Sequence, residues 1–535
     1  MESTSDRRSW WQHGVIYQIY PRSFQDSNGD GVGDLPGILS RLDYLQWLGV
    51  NAVWLSPVYP SPMADFGYDI CDYENIDPVF GSLADFDRLV QEVHRRALKL
   101  VLDFVPNHTS DRHPWFQESR RSTGNQRRHW YIWRPPGSGG GPPNNWLSEF
   151  GGPAWTLDAQ TGQYYYHAYL PQQPDLNWRE PEVQDAMHRV MRFWLDRGVD
   201  GFRVDAIHML VEDEALRDNP RNPAWQPGMS PARSLVRMHS SDQPETHHLV
   251  AGMRKVLDEY DARVLIGEAY LPISRLMMYY GDALGGFHLP FNFHLLSTPW
   301  SAAAIGALAR EYEAALPTGA WPNWVLGNHD RSRLINRVGG PAQARLAAML
   351  LLTLRGTPTL YYGDELGMHD VVIPAEQVQD PWEKNVPGLG LGRDPCRTPM
   401  QWTAEHHAGF SAAAPWLPVS DDSDILNVTT ESADPHSLVN LYRMLLRLRR
   451  DEPALAIGEY REHSVGPHVL SYERIASGQR ILVALNFGAE PCSLPVSLGV
   501  HLNVLVSTDP RGPLASTASE KLHLRGAEGI IARLV

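Results

Sequence analysis

Short apolar or β-branched runs alternate along this chain with longer stretches in which apolar residues recur every three or four positions. Val15-Ile16-Tyr17-Gln18-Ile19-Tyr20, Ala52-Val53-Trp54-Leu55 and Leu100–Phe104 are runs of the first kind. Phe86, Leu89, Val90, Val93 and Ala97 show the second spacing, as do Val183, Met187, Val190, Met191 and Trp194. Runs of the first kind suit strands buried on both faces, and the second spacing gives a helix one apolar face. Ser82, with Asp85 three residues on, supplies a capping box for the helix that follows. Another helix is predicted over 36–48. Further strands are predicted at Gly201, over Val264–Gly267, in the apolar stretch Phe287–Phe293, and over Trp324–Leu326 and Thr359–Tyr362. Helices over 248–260, 302–316 and 342–354 fall among them. Eight strand candidates interleaved with helices predict parallel βαβ units closing into an α/β fold, a (β/α)₈ TIM barrel.

The alternation breaks in places. Thr109–Pro174 is rich in Trp, Tyr, Gly, Pro and Asn, and its run Gly137–Gly141 lacks the Gly-Lys-Ser/Thr of a phosphate loop. Asp218–Pro244, full of Pro, Asn and Ser, reads as a long loop. Leu438, Leu441, Tyr442, Leu445 and Leu448 stripe a last helix, after which Val469–Tyr472, Ile481–Asn486 and a Pro- and Gly-punctuated tail read as antiparallel strands. The predicted organisation is a barrel begun over 1–108, a small inserted domain after the third strand over 109–174, the barrel resumed over 175–456 with the long loop 218–244, and a C-terminal all-β domain, a β-sandwich, over 457–535. No internal repeat is visible.

Composition narrows the partners. Of 535 residues, 43% are hydrophobic, and the formal charge is −15 with no basic cluster, which argues against nucleic acid. Leu346–Leu354 is the most apolar segment and is too short to span a bilayer, so no membrane partner is expected. Three cysteines, Cys71, Cys396 and Cys492, are too few and too odd for a disulfide framework. With a polar Met1–Arg8 that lacks a signal-peptide core, they make cytoplasmic the expected location. The oligomeric state is left open.

The candidate chemistry centres on Gly201-Phe202-Arg203-Val204-Asp205-Ala206-Ile207-His208. On a strand, Arg203 and Asp205 share one face, where the guanidinium favours the ionised carboxylate that a covalent nucleophile needs. Alone, an Arg-x-Asp reads as a structural ion pair. Three further stretches change that: Asp103-Phe104-Val105-Pro106-Asn107-His108, Ile266-Gly267-Glu268-Ala269-Tyr270 and Val325-Leu326-Gly327-Asn328-His329-Asp330. Each ends an apolar run in polar residues, and in such barrels the reacting groups come from the C-terminal ends of different strands. Glycoside cleavage needs two carboxyl groups in different protonation states. Apolar Leu265 and Ile266 before Glu268, and carboxylates nearby, favour its protonated form, marking it as the acid/base beside the nucleophile Asp205. A separate loop, Asp26-Ser27-Asn28-Gly29-Asp30-Gly31-Val32-Gly33-Asp34, places oxygen ligands at alternate positions with Gly at position 6, as a calcium loop does. Asp26, Asn28, Asp30, the Val32 carbonyl and Asp34 would ligate Ca²⁺, with Mg²⁺ as the alternative. Gly37 stands where the usual bidentate Glu would be.

In order and spacing these four stretches resemble the signature regions of glycoside hydrolase family 13, the α-amylase family. The likeness covers nearly the whole chain and is closest to the α-glucosidase and oligo-1,6-glucosidase branch. It implies a retaining, exo-acting α-glucosidase that releases the terminal glucose of small oligosaccharides or other α-glucosides, with some transglucosylation and no organic cofactor. It gives Asp205 and Glu268 the roles already read, and makes Asp330 a third carboxylate gripping sugar hydroxyls. It implies that His108 and His329 bond the glucose, that Tyr68 in Asp65-Phe66-Gly67-Tyr68-Asp69 stacks on it, and that Asp65 pairs with Arg397 to close the pocket. Arg203 belongs to the same binding set, while Asp103 and Asn107 are expected to be structural. Arg397 lies in Gly392-Arg393-Asp394-Pro395-Cys396-Arg397-Thr398-Pro399-Met400-Gln401-Trp402, and Gln173-Pro174-Asp175-Leu176-Asn177-Trp178 matches a fifth family region. The branch carries a calcium loop of the kind described and a domain walling the site after the third strand. Its position 206 tends to be Val in α-1,6 enzymes and Ala or Thr in α-1,4 enzymes. Ala206 therefore implies room for an α-1,4-linked acceptor.

Two rivals share the barrel. Non-catalytic transporter heavy chains have lost the carboxylates this chain keeps. Glucosyltransferases and sucrose isomerases use the same catalytic set. The Arg-Leu-Asp-Arg-Asp expected of isomaltulose-forming relatives is absent, and Arg331-Ser332-Arg333-Leu334 follows Asp330 instead.

Overall fold

A computed structural model describes residues 9–495, 501–513 and 521–535, so the reading of Met1–Arg8 lies outside the described residues. Eight parallel strands form one sheet: β1 (Ile16–Ile19), β2 (Ala52–Leu55), β3 (Lys99–Phe104), β7 (Gly201–Val204), β8 (Val264–Gly267), β9 (Leu289–Pro290), β10 (Asn323–Val325) and β11 (Thr357–Tyr361). Numbers β4 to β6 belong to an insertion described below. The last barrel strand returns to the first, pairing Ile16 with Thr359, and among the described residues no ladder joins β9 to β10. The sheet is therefore a nearly closed barrel. Nearly every barrel-strand residue is buried, which is why these strands read as continuous apolar runs. Gly201 opens β7 because a Cβ there would lie 2.2 Å from the Val264 carbonyl oxygen of β8.

The capping box at Ser82 forms: its amide donates to Asp85 at 2.9 Å, and the Asp85 amide donates to the Ser82 hydroxyl at 3.3 Å. Phe86, Leu89, Val90 and Val93 are its buried stripe, while Ala97 lies beyond the helix end at Arg95. The single helix predicted over 36–48 is two, Leu35–Ser40 and Leu42–Leu48. Arg41 breaks it at ψ 3°, where its side chain donates to Gln25 at 2.7 Å and covers the Trp402 ring at 4.3 Å.

Between β3 and β7 the chain builds a three-stranded antiparallel sheet from β4 (Trp133–Arg134), β5 (Trp155–Asp158) and β6 (Gln163–Tyr166), with β6 central. Its core, including Ile132, Trp146, Trp155 and Tyr166, also takes in Ala206 and Met209 just after β7. The segment 218–244 is loop, with one short turn of helix at Pro231–Ser234. Past the last long helix, Leu438–Asp451, come β12 (Glu459–Val465), β13 (Val469–Ala476), β14 (Gln479–Asn486), β15 (Cys492–Pro495), β16 (Leu502–Ser507), β17 (Lys521–Leu524) and β18 (Gly529–Leu534). They form a five-stranded antiparallel sheet, β12-β13-β14-β18-β16, and a pair, β15-β17. Alternation along β14 explains the layering: Ile481, Val483 and Leu485 join the barrel's core, while Leu482 and Ala484 meet Leu494, Leu522 and Leu524 of the smaller pair.

Candidate active site

Four strand ends deliver the predicted carboxylates to one place. Asp103 is the last residue but one of β3, Asp205 follows β7, Glu268 follows β8 and Asp330 lies past β10. Arg203 of β7 is the hub. Its Nη1 lies 2.7 Å from both Asp103 Oδ1 and Asp205 Oδ1, and its Nη2 lies 2.7 Å from Glu268 Oε2. One guanidinium thus serves three carboxyls and rests over the Trp54 ring at 5.1 Å. The backbone fixes Glu268 further: the Ala206 amide donates to its Oε2 at 2.9 Å.

Burial changes the expected electrostatics. Arg203 was expected to keep Asp205 ionised by lowering its pKa. Burial instead pushes the Asp205 carboxyl well above the usual carboxylate range; Arg203 pulls it down, and Glu268 and Asp103 push it up again. Burial likewise raises Asp103 to about 7 against the pull of Arg203. Burial thus favours the protonated forms of Asp103 and Asp205 against the pull of the Arg203 guanidinium. Asp330 behaves oppositely. Burial pushes it up, but the guanidiniums of Arg393 and Arg397 hold it below the usual range, so it stays an anion.

The two histidines are neutral, driven down by burial, His108 to about 3 and His329 well below its usual value. Gln18 Nε2 lies 2.7 Å from His329 Nδ1, and the Tyr68 hydroxyl lies 2.7 Å from Nε2. With the Gln18 amide nitrogen assigned as donor, Nε2 carries the ring proton and donates to Tyr68, whose own hydroxyl donates to Asp103 at 3.1 Å. The Tyr68 ring stacks on His329 at 5.5 Å with an interplanar angle of 0°. His108 Nδ1 lies 2.9 Å from the Asn107 side-chain oxygen, and its Nε2 lies 3.0 Å from Gln173 Nε2.

The closing pair is corrected. Asp65 does not pair with Arg397. Its Oδ1 accepts from Arg393 Nη2 at 2.7 Å and its Oδ2 from Gln173 at 3.2 Å. Arg397, wholly buried, donates to Asp330 at 3.0 Å and to the His329 carbonyl at 2.7 Å. The short helical turn Asp394–Cys396 lies between the two arginines. Arg393 also spans to Asp380 at 2.7 Å and to Asp330 at 3.4 Å. Sequence reading passed over Arg393, Asp380 and Gln173, although Arg393 and Gln173 stood inside the quoted segments. Ala206 also differs from expectation. It is 2% exposed, adopts φ 45°, and packs under the inserted domain rather than lining the cavity.

Asp205, Glu268, His329 and Asp330 line a cavity of about 930 Å³. Asp65, Tyr68, His108 and Arg393 belong to the same lining, with Asp65 bonded to Arg393. Glu149 and Phe150 of the insertion, Arg237 of the long loop and Trp382 contribute the walls, and Glu149 forms an ion pair with Arg237. Away from the cavity, the Asp26–Asp34 loop is a series of turns. Asp26 accepts from the amides of Asn28, Gly29 and Gly31 at 2.9, 2.8 and 2.9 Å. Asn28 accepts from Asp30 at 2.9 Å and Asp30 from Val32 at 2.8 Å. Asp34 caps the helix Leu35–Ser40 through the Gly37 amide at 2.6 Å. Among the described residues no group of three or more His, Cys, Asp or Glu side chains gathers as a metal set.

Comparison with known proteins agrees with this geometry. A family profile described as alpha amylase, catalytic domain, matches residues 18–458. A probable alpha-glucosidase of Rhizobium meliloti is 42% identical over 501 residues, covering 90% of each chain. An oligo-1,6-glucosidase of Parageobacillus thermoglucosidasius is 38% identical, covering 90% of this chain and 91% of that one. Among solved structures, an alpha-glucosyl transfer enzyme, XgtA, superimposes with a TM-score of 0.94 at 42% identity, over 99% of this chain and 100% of that one.

Proposed function

We propose a specific reaction for this chain, which belongs to the α-amylase family of glycoside hydrolases: retaining removal of the terminal, non-reducing α-glucosyl residue from short α-glucosides. The observation that carries it is the single guanidinium of Arg203 holding Asp205 and Glu268 at 2.7 Å each. Two carboxyls on one guanidinium fit the roughly 5–5.5 Å separation of a retaining pair better than the roughly 6.5–9.5 Å of an inverting one. Asp205 attacks the anomeric carbon as Glu268, in its acid form, gives a proton to the departing oxygen. Glu268 then takes a proton from water, whose oxygen displaces Asp205 from the sugar and restores the α configuration. Asp330, kept ionised by Arg393 and Arg397, offers fixed negative charge to the oxocarbenium-like transition state and accepts from sugar hydroxyls. The buried Asp65–Arg393 pair supports exo action, since it leaves little room beyond one glucose.

A preference for α-1,4 over α-1,6 links belongs to the same proposal, with a changed rationale. At φ 45° a β-branched residue in place of Ala206 would strain the backbone whose amide holds Glu268. Proton NMR of maltose and isomaltose digests tests both points. The first glucose from maltose is expected as the α-anomer, with maltose consumed faster. Initial β-glucose would overturn the mechanism, and faster isomaltose cleavage would overturn the linkage preference. The 42% identity to an enzyme named for glucosyl transfer supports partial transfer to sugar hydroxyls in place of water.

We further propose Ca²⁺ in the Asp26–Asp34 loop, with Mg²⁺ as the alternative, held by Asp26, Asn28, Asp30, the Val32 carbonyl and Asp34. The donor set is all oxygen: Asn28 Oδ1, Asp30 Oδ1 and Asp34 Oδ1 each accept one amide and keep a lone pair, whereas both Asp26 oxygens already accept two donors and would have to exchange one for the ion. The ion would tie the end of β1 to the helix that Asp34 caps, and it would take no part in the chemistry. Chelation is then expected to lower the melting temperature by several degrees, restored by Ca²⁺, since only the folded state binds. An unchanged melting temperature after verified metal removal would make the loop a plain turn. Three cysteines that are all free among the described residues support a cytoplasmic location. Among those residues no helix is long and apolar enough to cross a membrane.

A further inference from the structure

Gln18 is the one amide side chain in the apolar run of the first barrel strand, and it is wholly buried. By alternation along β1 it shares a face with Ile16, which packs with Trp54, Val101, Ile266 and Val325 of other barrel strands, so Gln18 points into the barrel. An amide there must find polar partners. Its Nε2 meets the Ser56 hydroxyl at 3.2 Å and His329 Nδ1 at 2.7 Å. Stacking sets the plane of the His329 ring, with Tyr20 at 5.9 Å and Tyr68 at 5.5 Å. It leaves open which ring nitrogen carries the proton. Polar neighbours decide that, and they agree. Asp330 Oδ2 lies 3.5 Å from Nε2, and that carboxylate is held ionised, so a proton on Nε2 is attracted and a lone pair repelled. Tyr68 accepts from Nε2 while giving its own proton to Asp103 Oδ2, which also takes Trp54 Nε1 at 3.3 Å. Nδ1 is then an acceptor, and Gln18 must offer it an N–H. In that orientation both N–H of the amide are used, on His329 and on Ser56, and only its oxygen is left without a partner. A buried carbonyl oxygen without a donor is tolerated more often than a buried N–H without an acceptor.

We infer that Gln18 is a positioning residue for the reaction proposed above, on which the inference rests: by donating to Nδ1 it keeps the ring proton of His329 on Nε2, beside Asp330. His329 lines the cavity and Gln18 does not, so Gln18 acts only through the histidine. The cavity then presents a fixed donor at this point, and the line of donors runs one way, from Gln18 through His329 and Tyr68 to Asp103. Asp103 shares the Arg203 guanidinium with Asp205 and Glu268, so the line ends on the group that holds the reacting pair.

A double-mutant cycle separates this role from a merely structural one. Gln18→Met keeps the length and removes the donor, while His329→Phe keeps a flat ring for Tyr20 and Tyr68 and removes both nitrogens. In the parent background Gln18→Met is expected to lower kcat/KM for maltose about tenfold or more, since it leaves a buried nitrogen unpaired. In the His329→Phe background the same change is expected to cost less than about twofold, because no ring nitrogen is left to serve. An equal fall in both backgrounds, or no fall in the parent, would overturn the inference. Nitrogen-15 NMR of the histidine-labelled parent reads the proton directly and needs no active variant. The ring signals lost in His329→Phe, or displaced in Gln18→Met, are expected to show a proton on Nε2 alone. A proton on Nδ1 would overturn the inference even if the kinetics agreed. Initial β-glucose from maltose would defeat the proposed reaction without moving the NMR result, so the two failures are told apart.

Discussion

Arg393 and Arg397 stand four positions apart, and only the folded chain decides which one reaches Asp65. The family resemblance gave that role to Arg397 alone. The deciding feature is distant in sequence: Asp380 takes Arg393 at 2.7 Å and orients it toward Asp65, whereas the His329 carbonyl takes Arg397 at 2.7 Å. The residue types at the strand ends were legible because a glycosidase needs carboxyls there. Their protonation was not, since it depends on burial that no spacing reveals. The closed end can be probed without dismantling it. Asp65→Asn keeps the shape and removes the charge, and Asp380 still holds Arg393. Losing a charge-assisted contact at the glucose end should raise KM for maltose roughly 10- to 100-fold, from about 1.5–3 kcal/mol. The melting temperature should stay near the parent's. An unchanged KM would show that this end does not hold the sugar.

At the scale of elements, the strands were readable and the loops behind them were not. Strands buried on both faces must be apolar, so β1, β2 and β3 declared themselves. The loop after β2 carries Asp65 and Tyr68, and nothing periodic describes it. Its course depends on left-handed backbone at Met63 (φ 63°), Phe66 (φ 46°) and Gly67 (φ 109°), a costly sequence for non-glycine residues. Asp69 holds that course. Its Oδ1 accepts from the Asp65 amide at 2.9 Å and the Ser61 hydroxyl at 2.8 Å, and its Oδ2 accepts from the Ala64 amide at 2.9 Å. An asparagine would turn an NH₂ toward one of these donors, orphaning an amide at about 1–3 kcal/mol. Asp69→Asn should therefore raise KM about tenfold with a smaller effect on kcat, because Asp69 positions Asp65 and Tyr68 and touches neither reacting carboxyl. A fall in kcat at constant KM would contradict that role.

At the scale of the whole molecule, β14 is apolar on both faces, Ile481, Val483 and Leu485 on one and Leu482 and Ala484 on the other. What each face covers had to be seen. One packs on the barrel and the other on the β15–β17 pair, so the C-terminal sheet is an inner layer rather than an appended module. Its junction with the barrel is held by buried cations bonded to carbonyls. Arg474 donates to the Thr353 carbonyl at 2.6 Å and to Gly458 at 2.9 Å; Arg449 donates to Leu352 at 3.0 Å and to Gly356 at 2.5 Å. Burial lowers both guanidinium pKa values, Arg474 to about 10 and Arg449 to about 9, the mark of desolvated cations with no ion-pair partner beside them. These bonds satisfy carbonyls around the end of a long barrel helix, Pro341–Thr353, which would otherwise be buried and orphaned. Arg474→Ala removes the donor and leaves its two acceptors unsatisfied, at roughly 2–6 kcal/mol from about 1–3 kcal/mol each. The expected result is a melting temperature several degrees lower, with unfolding still a single transition, because barrel and sheet share one core. Separate transitions for barrel and sheet in the parent protein would show that the shared core does not couple them. An unchanged melting temperature in the variant would show that water replaces the guanidinium at no cost.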